Sequence, residues 1–324
     1  MAFNMSIVKS SAIPAGAATI FLIQIFSTSA LGDHDTLFKR AIPKVRLRLL
    51  LIGLGILLVL VPTLYFLLQQ QKLSNYLVVC LGVAMAVVVL ILGMQHKGIE
   101  RHRLFVFLAL LISAQIFWII YQLAPMGLTL FALNNVDRHV WGFEIAPGWI
   151  QNINSVTIIL GGPILALLFK KLRDKKCFVS IPTQYTAGLL FAGLGLIILP
   201  LGIHFASQKG YVNFSWLFTT YVLQAIAELL ISPIGYAMVG RLVPKGYQSL
   251  MMGVVLLNTG VAAILSSQFS NYAMGRSDSA NPLITNPSYS HAFNQLGWFT
   301  VMAAIILLFF TPKLKRLIAH DQDK

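Results

Sequence analysis

The stretch that decides the fold is Trp216–Met238, WLFTTYVLQAIAELLISPIGYAM, a long apolar run with a single carboxylate, Glu228, at its middle. A charge at that depth of a bilayer costs roughly 2.5–3.5 kcal/mol on insertion scales unless it faces protein, water or a partner. The chain has ten acidic residues, and the other nine fall in connecting segments or the tail. Gln224 and Ser232 lie four residues to either side of Glu228. Helical spacing therefore predicts a polar stripe on an otherwise apolar helix.

The composition around this stretch excludes a soluble domain. Of 324 residues, 57% are hydrophobic and only 10% charged, where soluble domains run near 25% charged. Apolar runs of about 20 residues recur along the chain, the length a bilayer requires. Each must be helical, because lipid offers the backbone no hydrogen-bond partner. The ten-residue alternating segments of a β-barrel are absent. The net charge of +14 does not indicate nucleic acid, because the Lys and Arg are spread over short segments between apolar runs. The two cysteines, Cys80 and Cys177, form no metal or disulfide pattern, and no haem, zinc or phosphate-loop motif suggests a cofactor.

Eight spans are expected, at Leu47–Leu68, Tyr76–Met94, Leu104–Leu123, Ile150–Phe169, Tyr185–Phe205, Trp216–Val239, Ser249–Tyr272 and Phe293–Phe310. Ser10–Gly32 is uncharged but contains Pro14 and Gly16. We read it as a ninth, partial helix rather than a signal peptide, which would send the basic stretch that follows outward. The Lys and Arg counts of successive connecting segments alternate between high and low, with 19 on one side and four on the other. By the positive-inside rule the basic side and the C-terminus are cytoplasmic. Pro125 is expected to end the third span, Gly161–Pro163 to weaken the fourth and Pro200 to interrupt the fifth, while Pro233 follows directly behind Ser232. Breaks of this kind flank midplane sites in transporters, and they are also common in membrane helices generally.

The polar residues inside the spans are few. Gln115 and Gln122 share the third span with Trp118 and Tyr121, and Gln151, Asn152 and Asn154 open the fourth. Asn258 and Gln268 lie in the seventh. No Lys or Arg lies in a span interior, so Glu228 is either protonated or neutralised by a partner from elsewhere. Desolvation favours the neutral carboxyl, and an approaching ammonium favours the carboxylate. Exchange of one for the other is a physical basis for coupled transport. The competing reading is a carboxyl bonded between helices that holds the bundle together. Amides such as Asn154 and Gln122 serve that purpose too, and Trp118 alone fits packing as well as a pocket. A membrane enzyme would need paired catalytic groups near one face. The seven histidines are scattered, and His204 falls at the end of a span.

Three segments carry a family resemblance. QIFWIIYQLAPMGLTLFALNNVD (Gln115–Asp137), WIQNINSVTIILGGPILALLF (Trp149–Phe169) and SWLFTTYVLQAIAELLISPIGYAMVGRLVP (Ser215–Pro244) resemble the seventh, eighth and tenth helices of the proton-dependent oligopeptide transporters. TPKLKRLIA (Thr311–Ala319) fits the family's tail, and the likeness, from about Pro43 onward, is greatest to the bacterial di- and tripeptide permeases. The resemblance implies an all-α membrane protein: the C-terminal six-helix bundle of a major facilitator fold, preceded by two extra transmembrane helices. Residues 1–46 would be an N-terminal segment with a partial helix and a basic cytoplasmic stretch. Residues 47–94 would be the two extra helices, and 95–324 the six-helix bundle. The N-terminal bundle and its ExxERFxYY motif have no counterpart here.

By position, the resemblance implies that Glu228 receives the peptide amino terminus and carries proton coupling. Asn154 assists it, Ser232 lines the same face, and Trp118 is a pocket aromatic. Gln122 falls where many members have an acid implicated in coupling, which puts the usual relay in doubt. Val255, in GVVLLN (Gly253–Asn258), stands where relatives often have Trp. The expected function is proton-coupled symport of di- and tripeptides across the inner membrane, with peptide, protons and the bilayer as partners. The alternative is a truncated or split-gene product, inactive until a separate N-terminal half joins it.

Overall fold

The structure, a computed structural model, describes residues 43–140, 142–175, 179–275 and 281–319. The expectations for Ser10–Gly32 and Cys177 lie outside the described residues. The chain divides into two compact units, one ending at Gln71 and the other beginning at Lys72.

The described part of the first unit is helix α1 (Pro43–Gln69), which continues through Pro62. The ring of Pro62 removes one backbone donor. One residue on, the Thr63 hydroxyl donates to the Val59 carbonyl at 2.7 Å, a local bond of the kind that accompanies a bent membrane helix.

The second unit is a helical bundle. Its long helices are α2 (Gln71–Gln95), α3 (Gly98–Tyr121), α6 (Asn152–Asp174), α7 (Ile181–His204), α8 (Phe214–Leu242), α9 (Gln248–Met274) and α10 (Pro282–Ala319). Among the described residues, seven helical segments are long and apolar enough to cross a bilayer, and α1 adds a shorter apolar window, Leu51–Leu67. Every expected span thus coincides with a helix, and the protein is an all-α, multi-pass membrane protein.

Two expectations about proline are corrected. Pro200 does not interrupt its span, because α7 runs unbroken to His204. Membrane helices tolerate proline where neighbouring groups take up the freed backbone positions. The third span does not end near Leu123 either. After Tyr121 the chain makes a π-helical turn, Ala124–Leu128, and continues as α4 (Thr129–Asn135) within one membrane-length segment, Gly98–Asn135. Pro125 supplies no N–H, so the backbone shifts to a wider turn instead of stopping.

The tightest packing joins α7, α8 and α10. A Cβ on Gly193 would lie 3.0 Å from the Gly297 carbonyl oxygen and 2.9 Å from Val301 Cγ2. One on Gly297 would lie 3.1 Å from the Gly193 carbonyl oxygen. Only glycine at both positions lets α7 and α10 approach so closely, the usual device where no water drives helices together. The Thr220 hydroxyl of α8 reaches the Gly195 carbonyl of α7 at 2.8 Å. Between α3 and α9, Asn258 Nδ2 donates to the Leu111 carbonyl at 3.3 Å. The Gln115 amide oxygen accepts from the Ala262 N–H at 3.1 Å, and its nitrogen donates to Asn258.

One end of the bundle is tied by short strands and amides. β1 (Val136–Asp137) pairs in parallel with β4 (Val212–Asn213), and β2 (His139–Val140) forms a hairpin with β3 (Phe143–Glu144). A one-turn helix, α5 (Pro147–Ile150), leads from the hairpin into α6. Arg138 bridges the hairpin, 2.8 Å from Glu144 and 2.8 Å from the Ile145 carbonyl. Beneath it, Asn135 Nδ2 donates to Thr285 Oγ1 and Asn286 Oδ1 at 2.7 and 2.9 Å, and Asn286 Nδ2 donates to the Gly210 carbonyl at 2.7 Å. The loop ends of α4, α7 and α10 are thus held together by buried bonds.

Candidate functional site

The site is built on α8. Asn213 caps this helix, its side chain accepting from the Ser215 N–H at 2.9 Å. Tyr221 and Glu228 lie seven residues apart and so share a face two turns apart. Glu228 is half-buried, and Asn154 Nδ2, from the first turn of α6, donates to its Oε2 at 3.0 Å. Tyr121, at the end of α3, lies beside the same carboxyl group. Three helices therefore converge on the acid, and neither partner carries a full charge.

Beside this triad lies a polar cleft of about 300 Å³. Its polar side chains include Tyr121, Gln122, Gln151, Asn152, Asn154 and Tyr221, and Ala124 and Pro125 close one wall. It is mixed in donors and acceptors and lined by no charged side chain. Next to it, a larger groove of about 670 Å³ between α6 and α8 is lined almost wholly by aliphatic and aromatic residues such as Leu160, Leu168 and Phe218. That surface has apolar chemistry suited to lipid or to another helix.

Four of the five residues singled out from the sequence fall in two compartments, and Glu228 lines neither of them. Gln122 and Asn154 line the polar cleft, and Glu228 adjoins it through the Asn154 amide. Trp118 and Ser232 instead line a narrow crevice with Tyr185, Tyr236, Val255 and Asn258, which has only about 10 Å³ of free space. The two compartments are joined through aromatic rings, since Trp118 meets Tyr121 edge-on with centroids 5.2 Å apart. The polar stripe on α8 is also divided. Gln224 is 1% exposed and packs near Gly195 of α7, so it faces the core rather than the cleft.

In the sequence Tyr121 and Gln151 stand only among the polar residues of the spans, and Tyr221 is not singled out. A seven-residue step back from Glu228 would have found Tyr221. Nothing in the sequence shows that its hydroxyl reaches the Ala124 carbonyl on α3's extension, at 3.3 Å.

A bundle of membrane-length helices around one partly buried, amide-bonded carboxyl defines a polytopic membrane protein with a polar intramembrane site. The chain belongs to the POT family (PTR2), whose profile matches residues 14–281. It is 33% identical over 265 residues to the dipeptide and tripeptide permease A of Klebsiella pneumoniae strain 342, covering 81% of this chain and 52% of that one. It is 34% identical over 259 residues to the permease of the same name from Escherichia coli K12, covering 79% and 51%. Among solved structures it is similar to tetrameric PepTSo2, with a TM-score of 0.69 and 26% identity over 88% of this chain and 59% of that one. It also has the fold of a peptide transporter POT in complex with sulfate, with a TM-score of 0.69 and coverage of 86% and 55%. The chain spans about half the length of the curated relatives it matches, and it corresponds to their C-terminal half. The fold is accordingly the C-terminal six-helix bundle of a major facilitator architecture, with α1 and α2 ahead of it.

Proposed function

We propose that this chain forms the C-terminal half of a proton-coupled symporter of di- and tripeptides. The observation that carries the reading is the bond to Glu228 from Asn154, an amide that lines the polar cleft. Asn154 occupies one carboxylate oxygen and leaves the other for a cation. No Lys or Arg lies in a span interior, so the charge of Glu228 is met either by a proton or by the ammonium of an incoming peptide. A peptide with a blocked amino terminus leaves the acid unpaired and is penalised by its desolvation. Gln122 cannot ionise, so coupling within this half rests on Glu228. The crevice beside Trp118, Ser232 and Val255 gives a peptide side chain its pocket once the rings of Trp118 and Tyr236 move apart. Relatives named as dipeptide and tripeptide permeases support the choice of substrate class.

In this reading residues 47–94 are the two additional helices and 95–324 the carrier bundle. The 19 basic residues of one set of connecting segments face the cytoplasm, and the C-terminus lies with them at the inner membrane. The groups that bind the peptide carboxylate come from the other half of the carrier. Transport by alternating access rocks two bundles about a shared midplane site. The second reading is a half that does not transport by itself. Uptake of a labelled dipeptide is the test, measured with this chain alone and with a co-expressed N-terminal half. We expect uptake only with both, and its loss in Glu228→Gln. Undiminished uptake in that variant contradicts the assignment, and uptake by this chain alone contradicts the second reading.

A further inference from the structure

α3 and α9 are joined inside their spans by a reciprocal pair of amides. The Gln115 side chain of α3 donates to the Asn258 carbonyl at 3.0 Å and to the Asn258 side-chain oxygen, and it accepts from the Ala262 N–H at 3.1 Å. Asn258 and Ala262 are four residues apart and so belong to one rung of α9. In return, Asn258 Nδ2 donates to the Leu111 carbonyl of α3 at 3.3 Å. Leu111 and Gln115 belong likewise to one rung of α3. Both ends of the Asn258 amide are therefore bonded, which fixes its orientation. Lipid offers no substitute partner, so the pair stays closed.

This pair stands between two voids. On one side is the crevice beside Trp118 and Ser232, with only about 10 Å³ of free space. On the other is a cavity of about 220 Å³ lined by α2, α3 and α9. The two residues that line both are Leu111 and Asn258. Apart from the amides of Gln115 and Asn258 the cavity wall is apolar, with Val79, Val83 and Ala86 on α2 and Val261 on α9. Apolar cavities of about 150 Å³ take up benzene, so this one has room for an aromatic or branched aliphatic side chain.

We propose that Leu111 and Asn258 are specificity-determining residues: bonded to each other and pinned by Gln115, they close the floor of the side-chain crevice and keep the cavity behind it out of a substrate's reach. The inference rests on the reading of Glu228 as the site of the peptide amine. Glu228 and Ser232 are four residues apart on α8, about 6 Å, so the side chain that enters the crevice is that of the amino-terminal residue. With the floor in place the crevice admits a small side chain such as that of alanine. A large one, such as that of phenylalanine, needs the cavity behind. Removing the floor enlarges the side chain that is accepted, whereas a loss of packing alone would weaken all ligands alike.

The test uses the full chain in lipid nanodiscs. Binding of alanyl-alanine amide and of phenylalanyl-alanine amide is compared by saturation-transfer NMR, each against its N-acetyl form. The amides carry no carboxylate, so binding needs only this half. We expect Asn258→Ala to raise the ratio of phenylalanyl to alanyl affinity by about tenfold, the scale on which pocket size discriminates. Leu111→Ala opens the same floor from α3, should act in the same direction, and carries the test if Asn258→Ala does not fold. Ala86→Phe fills the cavity from α2 at a position that does not line the crevice. Alone it should keep the wild-type ratio, and combined with Asn258→Ala it should cancel the gain. An unchanged ratio in both floor variants overturns the proposal, as does a gain that survives Ala86→Phe. If the wild-type chain does not distinguish a free amine from its acetyl form, the Glu228 reading falls, and the inference with it.

Discussion

The α7–α10 contact and the α6–α8 face are built from opposite materials. On the first, Gly193 and Gly297 bring two backbones together and Val301 packs against Gly193. On the second, α6 has no fully buried residue, and its polar side chains meet α8 across a cleft. The first side joins backbone to backbone through its glycines. The second has a carboxyl group, amides and open volume, and little packing of its own. Stability and chemistry are thus assigned to different faces of one bundle, and substitutions should separate along that line.

The largest effect should come from the packed side. Gly193→Leu places a side chain against the backbone of α10 and should cost about 3 kcal/mol or more of stability, read as a lower midpoint of thermal unfolding in detergent. On the cleft side, Asn154→Ala removes a bond to a charged group and should weaken recognition of a peptide amine by about 10- to 100-fold, with thermal stability nearly unchanged. If Asn154→Ala instead destabilises the protein as Gly193→Leu does, the two faces are not functionally distinct.

The loop end sharpens the contrast further. Asn286→Ala breaks a buried amide bridge from α10 to Gly210 and Asn135 and should cost about 1–3 kcal/mol, visible as faster amide exchange around 210–213. Arg138→Ala removes a surface pair with Glu144, which is 54% exposed, and should change the unfolding midpoint by less than about 1 kcal/mol equivalent, shrinking with salt. The smallest effect concerns Asp137, whose carboxyl is held below its ordinary value by the His139 backbone N–H and then by the His139 side chain. A depressed carboxyl group contributes stability that is present above its unfolded value and lost as pH falls through the folded one. Asp137→Asn should therefore remove a small acid-side dependence and leave neutral pH unaffected.

The spans were legible because a bilayer demands long apolar runs, and charge alternation in the segments between them is a local count. Glu228 stood out for the same reason, as an ion where lipid tolerates none. Asn154 was placed by resemblance, and the structure puts its amide on that acid. Less was readable where proline was involved. Pro200 and Pro125 look alike in sequence, yet α7 passes through one unbroken while α3 rewinds at the other. The difference lies in the side chains that bond the backbone beyond the proline. At Pro125, Tyr221 and Gln151 donate to the Ala124 carbonyl and Ser270 accepts from the Gly127 N–H, each distant in sequence. Gln224 was misread for a related reason, because a four-residue spacing fixes a helical face only to within the width of a side chain, and Gly195 of α7 leaves room for it.

The central claim is that Glu228 meets the amino terminus of a peptide. The most direct measurement is the affinity of a complete carrier containing this half for a dipeptide and for its N-acetylated form, in wild type and in Glu228→Gln. We predict that the wild type binds the free amine at least about tenfold more tightly and that Glu228→Gln abolishes the preference, the signature of a lost charge-assisted bond. An unchanged preference in the variant would contradict the account.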